Sequence, residues 1–137
     1  MSFSDYLEDK VLNHVFGGTS YTPPSTLYVG VFTSAASDSG PGTEVSGNAY
    51  ARQSATFTVS GTSPTEATND AAIEFPEATG NWGTVSYAGV FDALTGGNML
   101  TWAELTDPSD FVTPLPKDVT TGDILRISAG NLKVSLG

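Results

Sequence analysis

Apolar residues recur at every fourth position near the start of the chain. Phe3, Leu7, Val11 and Val15 share one helical stripe, and Leu12 and Phe16 lie on the adjoining one. The spacing predicts an amphipathic helix. Ser2, Ser4 and Asp5 offer capping oxygens, and Asp5, Glu8 and Asp9 sit near the positive N-terminal end. Gly17-Gly18 supplies the residues that most readily end a helix in the left-handed conformation. About four turns fit before these glycines. An isolated helix of that length is marginal in water, so the Phe3, Leu7, Val11 and Val15 face is expected to be an interface, against the β-domain or a neighbouring protein.

After Gly18 the pattern changes to short β-branched and aromatic runs between clusters of Gly, Pro and Asn. Leu27 to Thr33 is the clearest strand, with Leu27, Val29 and Val31 on one face and Tyr28 and Phe32 on the other. Ser34 to Asn48 reads as a long surface loop, Tyr50 to Val59 as a strand, and Ser60 to Asn69 as turns. Ala71 to Phe75 and Thr84 to Asp92 follow as strands, with Gly89 marking a bulge or a close approach. Thr95-Gly96-Gly97-Asn98 predicts a hairpin into Met99 to Leu105. Thr106 to Thr120, with its prolines, is expected to be a loop, and Ala129-Gly130-Asn131 a second hairpin turn between Asp123 to Ser128 and Leu132 to Leu136. The expected architecture is mainly β: an antiparallel sandwich or flattened barrel of about seven strands, with one N-terminal amphipathic helix. Residues 1–18 form a helical arm and 19–137 the β-sandwich domain, with Val29, Val31, Phe57, Phe75, Val90, Phe91 and Ile127 as its core.

Composition narrows the function. A chain of 137 residues can bury one core without staples, and it has no cysteine for disulfides or thiolate metal sites. Fifteen Asp and Glu face only five Lys and Arg, for a formal charge of −10. That balance opposes phosphate neutralisation, which argues against nucleic acid, and provides no basic stripe for anionic membranes. No apolar run reaches the length of a membrane span, and no signal-peptide pattern opens the sequence. Proteins, or a host surface glycan, are the expected partners.

The search for chemistry yields no catalytic, cofactor or metal assignment. His14 is the sole histidine and reads as a helix residue near the negative C-terminal end. No carboxylate sits in a motif that fixes a partner for glycoside hydrolysis. Asp38-Ser39-Gly40 with Glu44, and Asp107 to Asp110, are oxygen-rich but do not match the twelve-residue calcium loop. Gly96-Gly97 lacks the lysine of a phosphate loop. Among the aromatic residues, Trp82, between Asn81 and Gly83, is the expected exposed contact residue. A non-enzymatic protein is therefore expected.

Several segments together carry a resemblance: Phe3-Ser4-Asp5-Tyr6-Leu7-Glu8-Asp9-Lys10-Val11-Leu12-Asn13-His14, Leu27-Tyr28-Val29-Gly30-Val31-Phe32-Thr33, and Gly42-Thr43-Glu44-Val45 with Asn48-Ala49-Tyr50-Ala51-Arg52. Further along come Ile73-Glu74-Phe75-Pro76, Trp82-Gly83-Thr84-Val85, and Gly89-Val90-Phe91-Asp92-Ala93 with Gly96-Gly97-Asn98. Over nearly its full length the chain resembles small bacteriophage virion proteins known as tail fibre or minor tail proteins, which overlap with head-decoration proteins. The resemblance implies a virion structural protein, made in the host cytoplasm, and brings no catalytic signature. A compact domain with a short helical arm and no shaft points first to a capsid decoration or cement protein on the head. The alternative is a tail fibre or minor tail protein, or a receptor- or glycan-binding module at the tail. Either role implies contact with major capsid or tail proteins and a homo-oligomer or lattice.

Overall fold

The computed structural model describes residues 1–136. A two-residue strand, β1 (Ser2–Phe3), precedes the single helix α1 (Asp5–Val15). Then follow β2 (Leu27–Phe32), β3 (Gln53–Ala55), β4 (Phe57–Ser60), β5 (Glu66–Asn69), β6 (Ile73–Glu74) and β7 (Gly83–Val85). The remainder is β8 (Tyr87–Phe91), β9 (Met99–Glu104), β10 (Lys117–Val119), β11 (Arg126–Ile127) and β12 (Lys133–Ser135). The mainly β reading with one N-terminal helix is correct, but the strands are shorter and more numerous than expected and close no barrel. Every pairing is antiparallel: a five-stranded sheet β1-β9-β8-β2-β3, a three-stranded sheet β12-β5-β4, and the pairs β10-β7 and β11-β6. Among the described residues no helix is long and apolar enough to cross a membrane.

The central strands of the large sheet are covered on both faces, because alternate residues of β2 and β8 enter different apolar clusters. Val29, Val31, Ala88 and Val90 join Phe75, Trp82, Val85 and Ile127 in the main core, whereas Phe32 and Phe91 pack with Ala36 and Met99 in a second one. Gly30 and Gly89 are register partners between them. A Cβ on Gly89 would lie 3.0 Å from the Phe32 ring and 3.1 Å from the Met99 sulfur, so the close approach expected there is real. The Thr95–Asn98 hairpin also forms as expected, with a register irregularity at Val90/Phe91.

Four expectations need correction. First, Phe3 is not on the helix. Ser2 and Phe3 pair with Trp102 and Thr101 along the exposed edge of β9, and the helix begins after Ser4. Buried Ser4 caps it: its hydroxyl accepts from the Leu7 N–H at 3.2 Å and donates to the Met99 carbonyl at 2.5 Å. The residues expected to supply a fourth turn are thus spent on sheet pairing, which also stitches the arm to the domain. Second, the segment expected to be turns contains β5, a polar strand held between β4 and β12. Third, the proline-rich loop contains β10, which pairs with β7.

The fourth correction concerns Ala129-Gly130-Asn131. The flanking strands do not pair with each other; β11 joins β6 and β12 joins β5. Asn69, only 2% exposed, is the reason. Its side-chain oxygen accepts from the Leu132 N–H at 2.9 Å, its amide nitrogen donates to the Ser128 and Ala71 carbonyls at 3.0 Å each, and its own carbonyl accepts from the Gly130 N–H at 2.8 Å. One buried amide takes over the hydrogen bonds a hairpin would have made, and the chain passes from one sheet to the next around it.

The expected core residues Val29, Val31, Phe75, Val90, Phe91 and Ile127 are buried, whereas Phe57 is only half-buried at its margin. Phe75→Ala should therefore cost ~3–5 kcal/mol in urea unfolding. Phe57→Ala should cost roughly half as much, in proportion to the apolar area it removes from water. Equal losses would place the two rings in equivalent surroundings, against this packing.

Candidate functional site

Two places gather the side chains singled out by sequence: the N-terminal helix, and a polar cluster where the Ser34–Asn48 segment returns to the large sheet. The helix lies against β9 and β1. Leu7 and Val11 are half-buried there, but Val15 is 61% exposed. Beside it Leu12 is 57% and Phe16 82% exposed, so the far end of α1 presents a continuous apolar face to solvent. The helix ends as expected: the Gly17 and Thr19 N–H groups reach the Asn13 carbonyl, and Gly18 takes φ +72°. His14 is exposed, and its Nδ1 accepts from the Tyr21 N–H at 3.0 Å, which ties the segment after the helix back to its last turn.

The polar cluster centres on Arg52, which is 8% exposed. Nε and Nη2 form a two-pronged bond to the Glu44 carboxylate at 2.8 Å each, and Nη1 donates to the carbonyls of Ala93 and Gly96, also at 2.8 Å. The guanidinium carbon stands 3.5 Å from the centre of the Phe91 ring. With its forks occupied in this way, Arg52 acts as a brace between the returning segment and the β8–β9 hairpin rather than as a ligand receptor. Gly30 makes room for it: a Cβ there would lie 2.7 Å from a Glu44 oxygen and 3.0 Å from the Tyr50 hydroxyl.

Tyr50 completes the cluster. Its hydroxyl donates to Glu44 at 2.6 Å and accepts from the Val31 N–H at 3.1 Å, while its ring stacks on Phe75 and meets Trp82 edge-on. Burial, reinforced by the bond to Glu44, pushes the phenol well above its ordinary value near 10.

Trp82 is not the exposed contact expected of it; at 6% exposure it is part of the core. Its Nε1 donates to the Asn48 carbonyl at 2.9 Å, inside a turn where Gly47, Asn48 and Ala49 all have positive φ. A partner so far away in sequence leaves no local signal beside Asn81 and Gly83.

The oxygen-rich loops also have other employment. Asp38 accepts from Trp102 Nε1 at 2.8 Å, Asp107 from the Ser109 N–H, and Asp110 from the N–H groups of Val112 and Thr113. Among the described residues no group of three or more His, Cys, Asp or Glu side chains is placed to hold a metal ion.

The brace has measurable consequences. Arg52→Met should destabilise the fold by ~3–5 kcal/mol in chemical denaturation, because it leaves the partly buried Glu44 carboxylate without its partner. The raised Tyr50 pKa makes a second test. The contribution of the protonated phenol is complete below pH about 10 and is lost as pH rises from there towards the folded-state pKa. Tyr50→Phe should therefore be less stable than the parent at neutral pH but lose less stability on going from pH 9 to pH 12. Parallel stability curves over that range would show that Tyr50 ionises as freely folded as unfolded.

Comparison with known proteins supplies the wider context. No curated protein sequence matches the chain. A family model described as "Podophage GP4 fiber I protein gp80" matches residues 2–135, a span that takes in the helix, the Arg52 brace and every strand from β1 to β12. The chain belongs to this family of phage virion structural proteins.

Proposed function

We propose that the protein is a non-enzymatic component of a virion fibre, and that it is held in place by another virion protein packed on the exposed end of α1. The observation that carries this reading is the apolar patch of Leu12, Val15 and Phe16 at the far end of a helix whose first turns are fixed to the sheet. A single apolar residue in water is ordinary, but three neighbouring ones at one helix end form a patch that burial would stabilise. At ~25 cal/mol per Å², covering such side chains contributes several kcal/mol to association before its entropic costs. The family's fibre description supports a fibre position over the head-cement position that the compact shape first suggests. It also supports partners among other virion components. Where attachment is repeated over many copies, modest affinity per contact is enough.

Removal of the whole arm is not a clean test, because β1 and Ser4 are part of the sheet. Surface substitutions are better suited. Leu12→Asp combined with Phe16→Asp should leave the circular dichroism spectrum and the urea midpoint nearly unchanged, yet reduce the protein's occupancy in purified virions at least tenfold. Wild-type occupancy for that variant would remove the helix end from the attachment surface. Cryo-EM of the virion gives the position directly: density at a fibre supports this reading, and density over the head lattice replaces it with the decoration role.

A further inference from the structure

Cations are scarce in this chain, and their distribution is uneven. Three of its five Lys and Arg residues, Lys117, Arg126 and Lys133, line one cavity of about 620 Å³ where β5, β9, β10, β11 and β12 come together. The two remaining ones lie elsewhere: Arg52 is the brace, and Lys10 sits over the Tyr6 ring on α1. Among the described residues the single ion pair is Arg52–Glu44, so the three cavity cations have no carboxylate within bonding distance. Glu66 and Glu104 also line the cavity, yet the lining is net positive in a chain of formal charge −10. A concave site with low-dielectric walls concentrates the field of such charges.

The rest of the lining has a different character. Leu125, Ile127 and Leu132 form buried apolar surface, and Phe111, Leu105 and Leu115 add to it. Phe111 is 39% exposed, with the Lys133 ammonium 4.5 Å from its ring centre. Its φ of +56° is one that non-glycine side chains rarely adopt. Asp107 and Asp110 fix this conformation. The Asp107 carbonyl accepts from the Phe111 N–H at 2.8 Å, and Asp110 gathers the Val112 and Thr113 N–H groups. A backbone in a rarely adopted conformation, held by the Asp107 carbonyl and the Asp110 side chain, keeps an aromatic ring beside a cation. Thr106, Ser128 and Asn131 bring neutral hydrogen-bonding groups to the same walls.

We infer that this cavity binds an acidic saccharide unit, one that carries a carboxylate or phosphate. The anionic group meets Arg126 and Lys133 with Lys117 nearby, the C–H face of the sugar ring lies on Phe111, and hydroxyls meet Thr106, Ser128 and Asn131. Each part of the lining matches one part of that ligand, whereas a neutral sugar leaves three cations unmatched and a bare inorganic anion leaves the aromatic ring unused. The site is separate from the helix end on which virion attachment rests.

The test is calorimetric titration of the whole protein with digalacturonate, glucose 1-phosphate, maltose and inorganic phosphate, repeated at low and high salt. At least one acidic saccharide should bind saturably, about tenfold or more tighter than maltose and inorganic phosphate, and more weakly as salt rises. Digalacturonate against glucose 1-phosphate tells carboxylate from phosphate. Arg126→Gln and Lys133→Gln should each weaken binding about tenfold and Phe111→Ala by a similar factor, whereas Lys10→Gln should leave it unchanged. Absence of saturable binding by both acidic saccharides overturns the inference, as does inorganic phosphate binding equally well or Lys10→Gln weakening binding as much as the cavity variants. Virion occupancy of the Arg126→Gln, Lys133→Gln double variant should equal that of the parent, so failure here and failure of the helix-end attachment are read separately.

Discussion

Taking a guanidinium out of water costs several kcal/mol unless its donors are met, and two of this fold's irregular segments are arranged to meet those of Arg52. Glu44 comes from the segment that returns beside β2, the two carbonyls come from the β8–β9 hairpin, and the Phe91 ring supplies a face. Through the shared Glu44 carboxylate the same cluster reaches Tyr50, and through Tyr50 the backbone of Val31 and the rings of Phe75 and Trp82. The central sheet, its longest connecting segment and the main core are thereby joined at one ion pair. A hydrophobic replacement of equal volume could pack as well, but it would not fix the register of three separated segments. That specificity is the physical return on burying the charge.

The parts of the fold legible in the sequence are those decided locally. Val29 and Val31 alternate with Tyr28 and Phe32, and their burial follows from that period alone. Gly96 and Gly97 supply the positive φ that the β8–β9 turn uses, and the serine cap with its acidic first turn marks the start of α1 to within a residue or two. What escapes is set by distant partners. Trp82 reads as a turn residue until the Asn48 carbonyl is brought to it. The Glu66–Asn69 strand has one β-favouring residue, Thr68, among three that are not, and exists because neighbours pair with it on both sides. The turn at Gly130 has hairpin chemistry, but Asn69 claims its hydrogen bonds first.

The candidate sites show the same division. The helical stripe was readable, but which end of it stays uncovered depended on where β9 lies. Val11 is sheltered by that sheet edge and Val15 is beyond its reach. The cavity cations were each visible in the sequence, yet Lys117, Arg126 and Lys133 sit on three strands that belong to three different sheets. No spacing rule could have grouped them. In contrast, segments that carry the family resemblance, among them Gly30, Glu44, Tyr50, Arg52, Phe91 and Gly96, converge on one cluster, which gives a structural reason for their appearing together.

The position of Ser4 also bears on the order of events in the cell. Its hydroxyl, which caps the helix at the front of the chain, ends on a carbonyl 95 residues further along, and β1 pairs with that same late strand. Contacts of such separation form only after the intervening chain has been made and closed into a loop. While the protein is still emerging from the ribosome, α1 has its local cap on the Leu7 N–H but neither the Met99 carbonyl that anchors the Ser4 hydroxyl nor the sheet that sets its direction. Docking of α1 therefore waits for β9, and the exposed apolar end of the helix takes its fixed orientation only when about three quarters of the chain has been made.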